Sequence, residues 1–174
     1  MPGTTPTFGL PYQTTGDAPN GPVLGQQLAE AVEALLLSKQ PIQATATLSS
    51  QYTLTTTTSD LTSCTIIKNV PRASAVALLT WTADCVLTGA GNTSLLAVVN
   101  VMIDGADQAF PQSVWGPGNL AVQANTRGTT SGSMTVVLSG SGNHTFKLRA
   151  AASSATGQIK LNAQHTSLSV VIFP

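Results

Sequence analysis

"SAVALLTWTADCVL", residues 74–87, decides the fold class. Trp81, Ala83, Cys85 and Leu87 recur at every second position, which puts them on one face of an extended chain, with Thr82, Asp84 and Val86 on the other. No Gly or Pro interrupts the run, so it reads as a strand with one buried face. The same period of two continues in both directions. Upstream it starts at Ile42; Leu48, Tyr52 and Leu54 share a face, and "SCTIIKNV" (63–70) is the next strand. Downstream, the turn "TGAGN" (88–92) leads to "SLLAVVNVMIDG" (94–105), apolar on both faces and therefore expected at the centre of a sheet. "DQAFPQSVW" (107–115) and "NLAVQANT" (119–126) are weaker strands separated by "GPG". "SMTVVLSG" (133–140), "NHTFKLRAAA" (143–152), "GQIKLNAQ" (157–164) and "TSLSVVIF" (166–173) complete the series, with "SGSGNH" (139–144) expected as a hairpin turn. In 143–152, Phe146 and Leu148 point in while Lys147 and Arg149 point out.

Short strands at this spacing predict that residues 42–174 form one antiparallel β-sandwich or jelly roll in a mainly β chain. The expected inward set is Trp81, Cys85, Val98, Met102, Val136, Leu138, Phe146, Leu148, Val170 and Ile172, because sandwich interiors are built by alternation.

Composition limits the function. The chain has 174 residues, 42% hydrophobic, enough to bury a core. Only 8% are charged, far below the roughly 25% of ordinary soluble domains. Thr and Ser supply most of the polarity. A surface of hydroxyls suits a β protein whose faces are covered by identical neighbours, or an exposed particle surface. Zero net charge offers no basic stripe for nucleic acid. No apolar run reaches the ~20 residues of a membrane helix, so no membrane insertion is expected. "MPGTTPTFG" lacks the basic and apolar regions of a secretory signal, so synthesis in a cytoplasm is expected.

The search for an active site is negative, and no enzyme activity and no cofactor are expected. There is no GxSxG elbow, and the two histidines, His144 and His165, sit at strand starts. Asp104 and Asp107 in "IDGADQ" fit an Asp-Gly hairpin turn better than a calcium loop, which needs more oxygen ligands. Cys64 and Cys85 lack metal-ligand spacing; they read as two reduced core thiols or as a late disulfide. Trp115, beside the Gly-Pro turn in "SVWGPG", either closes one end of the core, stacks on a sugar face as a ligand contact, or meets a neighbouring subunit.

Residues 1–21 carry four Pro and four Gly, which exclude helix and central strand. Yet Phe8, Leu10 and Tyr12 alternate along one side. Spaced apolar anchors on an extended chain are the pattern of a docking arm. Residues 22–40 follow as a helix: Pro22 suits its first position, and Pro41 ends it near Lys39. Leu24, Leu28, Ala31 and Leu35 step by 4, 3 and 4, widened by Val32. A helix this short is marginal alone, so its stripe packs either on the chain's own β domain or in a short parallel bundle, three-stranded for preference.

The stretch "TPTFGLPYQTTGDAPNGPVLGQQLAEAVEALL" (5–36) resembles the N-terminal module of virion proteins in tailed phages that infect actinobacteria. The shared pattern is an aromatic-Gly-Leu-Pro-Tyr start, then Asp-Ala-Pro-Asn (17–20), then Leu-Ala-Glu-Ala-Val-Glu (28–33) on an amphipathic helix. The C-terminal half, ending in "TSLSVVIFP", resembles the trimeric jelly-roll knobs of phage fibres. The resemblance implies a minor tail, short-fibre or capsid-decoration (head-fibre) protein on the virion surface. Phe8, Leu10, Pro11 and Tyr12 would dock on tail or capsid proteins, and Leu24, Leu28, Ala31, Val32 and Leu35 would form a homotrimer. The TNF-like knob would be exposed, with host cell-wall glycan as a further partner.

Overall fold

The computed structural model describes residues 3–5, 10–12, 14, 21–88, 95–108, 111–116, 124–153 and 158–174. Two short strands, β1 (Gly3–Thr4) and β2 (Pro11–Tyr12), precede the helix α1 (Gly21–Leu37). The strands that follow are β3 (Ile42–Thr47), β4 (Tyr52–Thr53), β5 (Ser59–Val70), β6 (Val76–Leu87), β7 (Ala97–Ile103), β8 (Ala106–Asp107) and β9 (Ser113–Trp115). β10 (Arg127–Val137), β11 (Gly142–Ala152), β12 (Ile159–Leu161) and β13 (Ser167–Phe173) complete the chain.

The fold is mainly β, with two antiparallel sheets face to face. In the first sheet, β6 is the axis. β10 pairs along one side of it, from Arg127 opposite Val86 to Val137 opposite Val76. β13 and then β12 occupy its other side end to end, backed by β3 and β4. The second sheet runs β5-β11-β7, with β8 and β9 pairing the far side of β7. The register of β11 on β5 shifts between Lys147, opposite Thr65, and Arg149, opposite Asp60. The sheets meet along one side where Thr130 of β10 donates its hydroxyl to the Val114 carbonyl of β9 at 3.2 Å.

The interior follows the alternation read from 74–87: Trp81, Ala83, Cys85 and Leu87 are all buried. Trp81 spans the layers, its indole N–H donating to Ser113 Oγ in the second sheet at 2.8 Å. Phe146, Leu148, Leu168, Val170 and Ile172 fill the space beside it. Two glycines of β10 make room for the indoles. A Cβ at Gly132 would overlap the Trp81 ring on the neighbouring strand, and one at Gly128 would overlap Trp115.

Several expectations need correction. Val98 and Met102 are on the outer face of β7, and Ala97, Val99, Val101 and Ile103 are the buried set. A strand apolar on both faces carries no parity signal, so its inward face is not readable from the pattern. Val136 does face inward, half-buried against the core. The 139–144 turn, with positive φ at Gly140 and Gly142, is not a hairpin: it carries the chain from β10 in the first sheet to β11 in the second. β10 begins at Arg127, earlier than the expected 133, and its Gly128 and Gly132 serve the two indoles. Most of the 88–92 turn and of the 119–126 strand lies outside the described residues; 124–126 is not strand.

The helix ends as Pro41 requires. Its last turn tightens, with Lys39 N–H donating to the Leu36 carbonyl at 3.1 Å and Gln40 N–H to that of Leu37 at 3.3 Å. Arg72, before β6, donates to Ser38 Oγ at 3.2 Å and ties the helix end to the sandwich.

Candidate functional site

The N-terminal segment is extended within each strand but turned back on itself. Gly3 lies opposite Tyr12 and Thr4 opposite Pro11. Thr5 N–H donates to the Leu10 carbonyl at 2.8 Å, and Leu10 N–H to Thr5 Oγ1 at 3.0 Å. β2 packs against α1. Of the expected docking residues, Leu10 and Pro11 are half-buried, Tyr12 is exposed, and Phe8 lies outside the described residues. In the helix, Leu24, Ala31 and Leu35 are half-buried, while Leu28, Val32 and Leu36 are exposed. No residue of α1 is buried. The helix touches β2 more than the sandwich strands and keeps Leu28 and Val32 exposed, which goes against the alternative that the stripe packs on the chain's own β domain.

The two outer faces of the sandwich differ in kind. On the second sheet, charges interlock: Asp60 takes Lys147 Nζ at 2.7 Å and Arg149 Nε at 2.8 Å, and Arg149 also pairs with Asp107. The Lys147 hydrogen bond leads in holding the Asp60 carboxyl below its ordinary value. On the first sheet the register lays hydroxyls in rows. Ser133, Thr80, Ser169 and Thr45 align across four strands, and Ser131, Thr82, Ser167 and Thr47 align beside them. Toward the helix these rows give way to an apolar end, where Val137, Val76 and Phe173 are neighbours and Leu78 is next. All four are exposed, Val137 by 63%. The rows from Val76 to Thr82 contain no charged residue.

At the opposite end of β6 the same face opens into a polar groove of about 530 Å³. Val86, Arg127 and Lys160 line it, with the backbone at Leu87, and Gln51, Asn125 and Asn162 add amides. A buried carboxylate organises it. Asp84 pairs with Arg127 and accepts from Asn162 Nδ2 at 3.2 Å, and Asn162 Oδ1 accepts in turn from Gln51 Nε2 at 3.1 Å. Burial pushes the Asp84 carboxyl up, but the Arg127 and Asn162 hydrogen bonds outweigh it and hold the carboxyl below its ordinary value. The periodicity of the sequence gave no hint of this groove, since its residues come from separate segments brought together by β4, β6, β10 and β12.

Trp115 is half-buried, its indole lying over Gly128 and packed against the core. His144, which sequence reading puts at a strand start, is buried, and its Nδ1 lies 2.6 Å from Asp104 Oδ2. Asp104 also accepts from the Thr145 N–H at 2.7 Å. Asp104 and Gly105, both at positive φ, form the turn of the β7–β8 hairpin, so this pair clasps the turn to β11. Cys64 and Cys85 are free and buried, Cys64 in the second sheet and Cys85 in the first; they do not form the disulfide that sequence reading left open. Among the described residues, no group of three or more His, Cys, Asp or Glu is placed to hold a metal ion, and no helix is long and apolar enough to cross a membrane.

No protein-family model matches the chain, and no curated protein matches it. Among solved structures it is similar to a chain of T=1 particles derived from infectious bursal virus, at 14% identity and a TM-score of 0.47, covering 77% of this chain and 32% of that one. It is also similar to VP2 of the infectious bursal disease virus subviral particle, at 11% identity and 0.42, covering 77% and 33%. Eiger TNF from S. frugiperda is similar at 8% identity and 0.40, covering 74% of this chain and 94% of that one. The chain thus spans about a third of the length of the viral chains it matches.

Proposed function

We propose that this chain is a structural virion protein: a homotrimeric short fibre, spike or minor tail protein, held on a phage particle by its N-terminal segment and exposing the sandwich to the host surface. One observation supports the self-assembly: large apolar side chains stand exposed in two places, on the helix and at the end of the first sheet. Leu28, Val32 and Leu36 are exposed on α1, and Val137, Val76 and Phe173 form an exposed apolar row on the first sheet. Identical copies can cover both parts at once without opposing like charges, whereas the charged outer face of the second sheet suits solvent. The sequence pattern at 5–36 supports the particle attachment. Attachment to the head as a capsid decoration protein is the alternative, and the same pattern serves both.

Native mass measurement of the full chain, combined with mixing onto particles that lack it, tests the proposal. A trimer that joins particles is expected. A monomer at micromolar concentration overturns the assembly, and a trimer that joins neither head nor tail overturns the attachment.

A further inference from the structure

We infer that the groove at the end of the first sheet remote from the helix binds an anionic, hydroxyl-rich glycan segment. The inference rests on the reading that the sandwich is the outward-facing part of the protein, and it names the site and the ligand chemistry for that role. The groove's volume, about 530 Å³, falls within the range of small-molecule sites.

Its chemistry is one-sided. Asp84 is the carboxylate of the network, and it is already engaged by Arg127 and Asn162. Two cations therefore stand against one spent anion, and Lys160 has no acidic partner among the described residues. What the groove offers to solvent is donors: the Lys160 ammonium, the remaining Arg127 N–H groups, and the amides of Gln51 and Asn125. Lysine and arginine donors take a carboxylate or phosphate, and side-chain amides bridge vicinal hydroxyls. The half-buried Val86 gives the groove an apolar patch that suits the C–H face of a sugar ring.

The donors are also held in place before any ligand arrives. The chain Gln51–Asn162–Asp84–Arg127 fixes two amides and a guanidinium by mutual hydrogen bonds, which reduces the ordering cost of binding. Asn125 is fixed by its backbone, at φ 71° with its N–H donating to the Leu87 carbonyl at 2.9 Å. A metal cation is disfavoured, because the carboxylate is spent. A nucleic acid strand is disfavoured too, because the described lining residues include no basic stripe and no aromatic ring. The site's position agrees with the role. Val86, in the groove lining, lies at one end of β6, and Val76, beside the helix junction, at the other. A protein anchored through its N-terminal segment presents the groove end outward.

The test titrates the full-length protein with three probes by calorimetry: oligogalacturonate, which carries carboxylates; a ribitol-phosphate oligomer, which carries phosphates; and a neutral maltooligosaccharide. At least one anionic probe is expected to bind, weakening as salt is raised, with the neutral probe at least about tenfold weaker. Whichever anionic probe binds identifies the acidic group. Lys160→Gln is expected to lower that affinity by about tenfold while leaving the melting temperature and native mass unchanged. Failure of both anionic probes to bind at millimolar concentration overturns the inference. So does equal binding of the neutral probe, or undiminished binding by Lys160→Gln. Native mass and particle attachment are read separately on the same preparations, so a failed assembly leaves the groove result standing, and the reverse.

Discussion

At the scale of single residues, the sandwich makes sharp contrasts between neighbours in sequence. Phe146 is fully buried, whereas Lys147, one position on, points outward to Asp60. Phe146→Ala is expected to cost about 3–5 kcal/mol, the range for emptying a buried aromatic site. Lys147→Ala, which removes a half-exposed ion pair, is expected to cost roughly 1 kcal/mol or less. Thermal melting of both variants checks the register; a larger loss for Lys147→Ala would show it one residue out. Gly132→Ala is expected to destabilise by about 1–3 kcal/mol, because the added Cβ meets the Trp81 indole, while Ser133→Ala on the outer face stays near zero. Urea midpoints of the two separate that steric reading from a simple loss of strand propensity. The thiols set an alkaline limit. Burial pushes Cys64 from its ordinary 9.0 up to about 11; burial, with a smaller contribution from the Asp84 charge, pushes Cys85 up to about 12. The folded thiols thus keep their protons after the unfolded chain has lost them. Their stabilising effect is complete below pH about 9 and falls away as pH rises toward 11 and 12. Urea midpoints followed from pH 8 to pH 11 are expected to decline, and less steeply in Cys85→Ala; an identical decline in that variant assigns the effect to other groups.

Among the elements, legibility tracks how one-sided each pattern is. β11 alternates cleanly and β6 does so except at Asp84, buried on the outer face, and their apolar buried faces are those the sequence predicts. β7 is apolar on both faces and was misread at Val98 and Met102. The helix was legible from Pro22, its 4-3-4 stripe and Pro41. What the sequence could not decide was whether its own sandwich covers the stripe, since that depends on where a tertiary surface ends. Because Leu28 and Val32 are exposed in the single chain, replacing both with Glu should leave the melting of the sandwich unchanged and convert a trimer to monomers by native mass. A double variant that stays trimeric removes the helix from the assembly. Deleting residues 1–20 is expected to leave a soluble oligomer that no longer joins particles; particle binding by the truncated chain counts against the docking role.

On the scale of the whole molecule, the sandwich is two-faced: an ion-pair network lies on the second sheet, while the first carries hydroxyl rows and keeps its charges to the groove at one end. Low overall charge was visible in the composition, and it suggested faces covered by copies of the chain. Which face carries the ion-pair network was not visible, because it depends on the strand order β5-β11-β7-β8 that brings Asp60, Lys147, Arg149 and Asp107 together. The groove was hidden for the same reason. Gln51, Arg127 and Lys160 are remote in sequence and become neighbours only through β4, β10 and β12.

The pairing order also sets a timetable for synthesis. β3, β4, β5 and β6 make no ladder with one another: β3 pairs β13, β4 pairs β12, β5 pairs β11, and β6 pairs β10, β12 and β13. As the chain leaves the ribosome, its first four sandwich strands therefore have no hydrogen-bonding partner until the second half has followed. The helix, whose bonds are local, is free to form in the interval. Sister chains emerging nearby could meet through that helix before any of them holds a finished sheet. Ladders that depend on such distant segments close slowly and leave apolar strands open to wrong partners meanwhile. A chain stopped after residue 126 should be digested by protease as rapidly as an unfolded one. The full chain, diluted from denaturant, should regain protection in milliseconds to seconds, not microseconds.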